Sequence, residues 1–258
     1  MRSNFTFSIF TAVVFLLSAA LVLADDDFPL RAKYPDVKVM STDELATAYD
    51  ATIVVDVRSQ MEFDVAHVNK ANHVPLSKDT FAADLEIIRG KSDAAAMAFY
   101  CNGHTCAKSY KAAKASQAAG FQNIYAYDSG IFDWINAQPD KATLMGKTPA
   151  SKDQIISKKD LNSKMLSYDA FKTKASEPNA KVIDIRDQFQ REKIPDIPGL
   201  RNIPLDQLTE LLEKKQYIDK QLLILDAVGK QVRWLQYYLE EFGYTNYAFL
   251  KGGVKAIN

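Results

Sequence analysis

Cysteine is nearly absent from this chain of 258 residues, which has only Cys101 and Cys106. A bridge between them would enclose four residues, removing little chain entropy and tying down nothing distant, so a disulfide-built scaffold is excluded. Histidine is almost as scarce, with three residues, and no Cys-x-x-Cys pair accompanies them; no metal site is expected. Net charge is missing too: 32 basic and 32 acidic residues cancel, which leaves no basic excess of the kind nucleic acid requires. Beyond the first two dozen residues no long apolar run occurs, so no membrane span is expected in the body of the chain.

The N-terminus differs. Arg2 is the only charge ahead of the apolar run Phe10 to Leu23, and Val22-Leu23-Ala24 leads into Asp25-Asp26-Asp27. A cationic start, an apolar core and small residues before a polar break describe a secretory signal peptide over 1–24, cut after Ala24. The run is shorter than the ~20 residues of a spanning helix, which favours cleavage over anchoring. The expectation is a secreted or periplasmic protein, free of the membrane after cleavage. About 230 residues then remain, enough for two ordinary domains.

Those residues read as one unit written twice. Ile53-Val54-Val55-Asp56-Val57-Arg58 has its counterpart in Lys181-Val182-Ile183-Asp184-Ile185-Arg186. Val74-Pro75-Leu76 matches Ile203-Pro204-Leu205, and the apolar strands Met97 to Tyr100 and Leu222 to Leu225 correspond. Both copies close on similar stretches, from Gly120 and Gly243, before Ser129-Gly130 and Gly252-Gly253. β-branched runs alternating with helical stretches predict an α/β fold, with a parallel β-sheet flanked by helices in each copy. The domains are placed at 30–140 and 161–258, with a linker at 141–160 that is rich in Lys, Ser and Thr and contains Pro149.

In such sheets chemistry gathers at the carboxyl ends of the strands. The loop after Met97–Tyr100 begins at Cys101, continues through Asn102, Gly103, His104, Thr105, Cys106 and Ala107, and runs into an Ala-rich helix. A thiol there faces loop amides and a helix N-terminus, both of which favour the thiolate. Gly103 permits positive φ, which lets successive amides turn inward. Lys108, in the first helical turn, is placed to attract an anion, whereas Lys111 and Lys114 read as a solvated face. Asp56 and Arg58 read as structural support for the strand end. His67 and His73 read as packing and loop-bracing residues.

At this point the sequence resembles a known family. The strand-end Asp-x-Arg, Glu62-Phe63, Ala66-His67-Val68, Asn72-His73-Val74-Pro75, the Tyr100-Cys101 step and Ser129-Gly130-Ile131 with Trp134 together look like the rhodanese family, in tandem. The run from Tyr100 to Ala113 resembles a bacterial rhodanese-like subgroup with a second loop cysteine. The resemblance implies a sulfurtransferase with no cofactor. Cys101 would take a sulfane sulfur from thiosulfate or a similar donor as a persulfide cradled by residues 102–107, then pass it to a thiophilic acceptor.

The second copy departs from the pattern, because Asp226 stands where Cys101 stands in the first, and a carboxylate cannot form a persulfide. Counting to the closing glycines makes the first loop two residues longer. Three further readings remain open. Cys106 could resolve Cys101 in a thiol–disulfide or persulfide relay with a redox partner protein; the fold could serve as a non-catalytic interaction module; or it could be a phosphatase, against which stands the lack of a loop Arg. The expected partners are a small sulfur-containing anion or a thiol.

Overall fold

The computed structural model describes residues 27–90 and 95–257. The expected signal peptide lies outside the described residues. In the first domain β1 (Ile53–Asp56), β2 (Ala66–Val68), β3 (Asn72–His73), β4 (Met97–Tyr100), β5 (Ile124–Tyr127) and β6 (Ala142–Leu144) alternate with five helices. These are α1 (Thr42–Thr47), α2 (Gln60–Val65), α3 (Phe81–Arg89), α4 (Lys108–Ala118) and α5 (Gly130–Ala137). The main sheet runs β3-β1-β4-β5 and is parallel throughout. All four residues of β4 are buried, as expected of a central strand covered on both faces.

The second domain repeats the plan. Strands β7 (Met165–Leu166), β8 (Ala180–Asp184), β9 (Arg201–Asn202), β10 (Gln221–Leu225) and β11 (Tyr247–Leu250) form a parallel sheet in the order β7-β11-β10-β8-β9. Helices α6 (Lys158–Ser163), α7 (Tyr168–Ala175), α8 (Leu205–Glu213) and α9 (Val232–Glu241) accompany it. Apolar clusters line both faces of each sheet.

The stretch 141–160, read as a linker, is built into the fold. Its strand β6 pairs antiparallel with β2, and Ala142, Leu144, Ala150 and Ile156 join the first domain's core. Polar residues between these few apolar ones hid the pattern. The two extra residues between Cys101 and Gly120 are divided rather than gathered in the loop. Residues 101–107 exceed residues 226–231 by one, and α4 exceeds α9 by one, at 11 residues against 10.

The domains share core. Trp234 and Tyr237 of α9 pack with Trp134, Ile135 and Ile156. Phe132 of α5 stacks on Trp234 with centroids 5.8 Å apart, and the Ile156 amide donates to the Tyr237 hydroxyl at 3.1 Å. Among the described residues no helix is long and apolar enough to cross a membrane. Because Trp234 belongs to a core shared by both domains, W234A is expected to cost about 3–5 kcal/mol. Denaturant unfolding, followed separately in each domain, should lose its single coincident transition.

Candidate active site

β1 ends on Asp56, and the chain doubles back so that Arg58 grips it. The Arg58 guanidinium donates through Nε to Asp56 Oδ1 at 2.9 Å and through Nη2 to Oδ2 at 2.5 Å, both side chains fully buried. Burial opposes the Arg58 charge, but the Asp56 carboxylate more than compensates and holds its pKa above the usual value. The remaining donors reach outward, Nη2 to the Ala66 carbonyl at 2.5 Å and Nη1 to Asn102 Oδ1 at 3.2 Å. The Asp-x-Arg unit therefore does more than brace its own turn, since it holds Asn102, the residue that follows Cys101 in the loop.

Asn102 is held at its other end as well. Its Nδ2 donates to Glu62 Oε1 at 2.6 Å. Glu62 is fixed by a capping box at the start of α2, where Ser59 N and Oγ both donate to Oε2, at 3.0 and 2.9 Å. Burial alone would raise the Glu62 carboxyl pKa, but the bonds from Asn102 and Ser59 and the nearby Lys108 and Arg58 charges bring it below its usual value. Lys108 Nζ lies 3.4 Å from Glu62 Oε2. Its ammonium is thus engaged by a carboxylate, which weakens the expectation that it serves the cysteine directly. His67 and His73 both stack on Phe63, and each bonds a backbone carbonyl.

Cys101 and Cys106 are joined by a disulfide, with Cα atoms 6.2 Å apart. Cys101 is buried, at 1% exposure, whereas Cys106 is only partly covered. Cys106 N donates to the Gly103 carbonyl at 2.8 Å, closing a tight turn. The amides of residues 102–105 and 107 have no hydrogen-bond acceptor among the described residues. The loop also rests on α5: Ile131 N donates to the Cys101 carbonyl at 3.1 Å, and a Cβ on Gly130 would lie 2.6 Å from Gly103 Cα. That approach, with φ +71° at Gly130, requires glycine.

His104 caps the loop. Its Nε2 lies 2.8 Å from Asp133 Oδ2 and its Nδ1 2.8 Å from the Asp27 carbonyl, while its ring stacks on Phe28 at 4.1 Å. Burial pulls the His104 pKa down, but the Asp133 carboxylate outweighs it, and the pKa is raised. Residues 102–106 line one side of a cavity of about 510 Å³, whose other walls include Phe132, Lys158 and Arg233. Arg233, Lys158 and Asp133 were not foreseen from the sequence, since nothing local marks them. Among the described residues no group of three or more His, Cys, Asp or Glu is placed to hold a metal.

The Rhodanese-like domain profile matches residues 41–137 and 167–258. The chain belongs to the rhodanese-like family. No curated protein matches significantly. Solved structures similar to it include a Bacillus halodurans protein at 20% identity, covering 47% of this chain and 88% of that one, with a TM-score of 0.37. A thiosulfate sulfurtransferase from Pseudomonas aeruginosa shows 17% identity over 84% of this chain and 41% of its own, with a TM-score of 0.37. A rhodanese-related protein from Thermoplasma volcanium shows 21% identity over 39% and 93%, with a TM-score of 0.33.

Between the two rhodanese-like domains the loops are superficially alike. Val254 N donates to the Asp226 carbonyl at 2.9 Å, as Ile131 N does to that of Cys101, and Gly253 stands where Gly130 does. The cradle contents differ. The Asp226 carboxylate accepts from the amides of Val228 at 3.1 Å, Gln231 at 2.7 Å, Val232 at 3.4 Å and also Gly229. The second domain therefore fills its own ring of amides with its own anion.

Two outcomes follow from this geometry. D226A, which removes the acceptor of four amides, that of Val232 buried and those of Gly229 and Gln231 partly covered, is expected to destabilise the second domain by about 1–3 kcal/mol. Sulfate should restore more stability to D226A than it adds to the parent, as read by chemical denaturation; an equal gain would mean that the freed amides do not bind anions. The imidazole of His104 should titrate by NMR above the usual ~6.5, with the midpoint falling in D133N. Because its folded pKa is raised, the stability contributed by His104 is complete below ~6.5 and is lost as pH rises through the folded midpoint.

Proposed function

We propose that the first domain is a sulfurtransferase that carries sulfur on Cys101 once the Cys101–Cys106 bridge has been opened. The observation that carries this reading is the set of loop amides left without acceptors around a strand-end cysteine, beside a sister loop whose amides converge on an anion. Such a set stabilises a thiolate, and then a persulfide anion, at the same place. In the reaction the Cys101 thiolate attacks the outer sulfur of thiosulfate, the sulfur–sulfur bond breaks, and sulfite leaves with the electron pair. An acceptor thiolate then attacks the terminal sulfur of the Cys101 persulfide, forms its own persulfide and returns Cys101 as thiolate.

The disulfide favours a second reading on the same site, a persulfide relay with Cys106 as resolving thiol. Cys106, as thiolate, would attack Cys101 Sγ in the persulfide, re-forming the bridge and expelling hydrosulfide. A thiol or redox partner protein must then reduce the bridge before the next cycle. A resting bridge also suits an oxidising compartment, in keeping with export.

Intact mass spectrometry tests both readings. After reduction, removal of reductant and exposure to thiosulfate, the protein should gain the mass of one sulfur, and C101A should gain none. C106S should acquire sulfur without prior reduction and hold it longer than the parent. Absence of any sulfur gain in both the reduced parent and C106S would overturn the sulfurtransferase reading, and equal persistence in C106S would remove the relay.

A further inference from the structure

The cavity at the cysteine loop is bounded partly by residues outside the first domain. Arg233 is the second residue of α9, and Lys158 is the first of α6. Arg31, Arg58, Arg186 and Arg191 each hold a carboxylate in an ion pair. Arg233 has no hydrogen bond or ion pair among the described residues, although it is half-buried. Its guanidinium lies 4.5 Å from the centroid of Phe132 and 5.6 Å from that of Trp234. A planar cation held against aromatic faces has little freedom left to lose on binding and keeps its in-plane donors for a ligand.

The charges around the cavity point the same way. Its carboxylates are Asp27 and Asp133, and Asp133 is occupied by His104. Neither Lys158 nor Arg233 makes an ion pair among the described residues, and the Glu62 carboxylate that acts on Arg233 through space is already held by Ser59, Asn102 and Lys108. Burial disfavours the Arg233 charge, so an anion arriving there recovers part of that penalty. At about 510 Å³ the space also exceeds what a small sulfur oxyanion needs and falls in the range of small-ligand pockets.

We propose that Arg233 and Lys158 form an anion-recognition subsite at the mouth of the cysteine loop, selecting small thiols that carry a carboxylate. The second domain, without a nucleophile of its own, thereby sets specificity for the first. A carboxylate matches the planar guanidinium fork with two parallel bonds, which places the thiol end of such a ligand toward Cys106 and Cys101. Its role as acceptor rests on the sulfurtransferase reading, but the subsite itself does not.

Two measurements separate these. The first is independent of sulfur transfer: the fully reduced protein is alkylated with iodoacetate, which is anionic, or iodoacetamide, which is neutral. The iodoacetate-to-iodoacetamide rate ratio should exceed that of an unstructured cysteine peptide, and should fall about fivefold in R233Q and further in the R233Q/K158Q pair. R233K, which keeps the charge, should retain part of the preference and controls for disturbed packing on Phe132. The second compares 3-mercaptopropionate with 2-mercaptoethanol in discharging the Cys101 persulfide; the preference for the carboxylate-bearing thiol should fall in R233Q through KM. An alkylation ratio unchanged in the folded double variant would overturn the subsite. Absence of any persulfide, with the alkylation preference intact, would overturn only the sulfurtransferase reading.

Discussion

The buried ion pair of Asp56 and Arg58 is the constraint on which the first domain's site depends. Both charges are fully buried, so neither tolerates loss of the other; removing one partner of such a pair typically costs about 3–5 kcal/mol. The pair also fixes where the remaining Arg58 donors point. One holds the Ala66 carbonyl at the start of β2, and another holds Asn102. Through Asn102 the order passes to Glu62 and the capping box of α2. The end of β1, the start of β2 and, 44 positions on, Asn102 are thus locked around a single guanidinium, and the cysteine loop inherits its position from them.

The second domain keeps the ion pair and changes its use. Arg186 grips Asp184 in the same manner, but its other donors go to the carbonyls of Gln190 and Lys193, within its own following segment. The loop after β10 needs no external hold because Asp226 ties it internally through several amides. In one copy the loop is braced from outside and its amides are left for a visiting anion. In the other it is braced from inside by a resident anion. Aspartate in place of cysteine at the strand end therefore accounts for both the missing thiol and the relaxed demand on Arg186.

The repeat, the parallel sheets and the cysteine loop were legible in the sequence because each rests on a local pattern. β-branched runs, the glycines that permit close approach, and the paired Asp-x-Arg steps all declare themselves within a few residues. The capping box Ser59-x-x-Glu62, which the structure shows, is a local pattern that signals a helix start; it does not signal that the same carboxylate holds Asn102, forty positions on. Lys108 misled for the same reason, since its place in the first turn of α4 says nothing about Glu62 arriving beside it from α2. Arg233 was illegible altogether. On α9 it reads as an ordinary charged position, and only the packing of Phe132 against Trp234 brings it to the other domain's cavity.

Whether the cysteines were bridged was also beyond the sequence, because Cys-x-x-x-x-Cys closes only when the loop bends sharply, and the turn from Gly103 to Cys106 supplies that bend. Once closed, the bridge has two unequal ends. Cys101 lies under the loop, whereas Cys106 is partly open toward the cavity. An incoming thiolate must approach along the sulfur–sulfur axis, which leaves Cys106 as the accessible sulfur. Attack there forms a mixed disulfide on Cys106 and breaks the bridge, with the electron pair moving to Cys101, at the head of the loop whose amides lack acceptors among the described residues. A leaving group stabilised as its anion departs faster, so the features suited to hold a persulfide also favour opening the bridge in that direction. A second thiolate then attacks the reductant's sulfur in that mixed disulfide, so that Cys106 departs as thiolate and the two reductant thiols leave joined as a disulfide. Burial of one sulfur and partial exposure of its partner thus set an order of events: the outer sulfur meets the reductant, and the inner one emerges as the free thiolate that the proposed sulfur transfer requires.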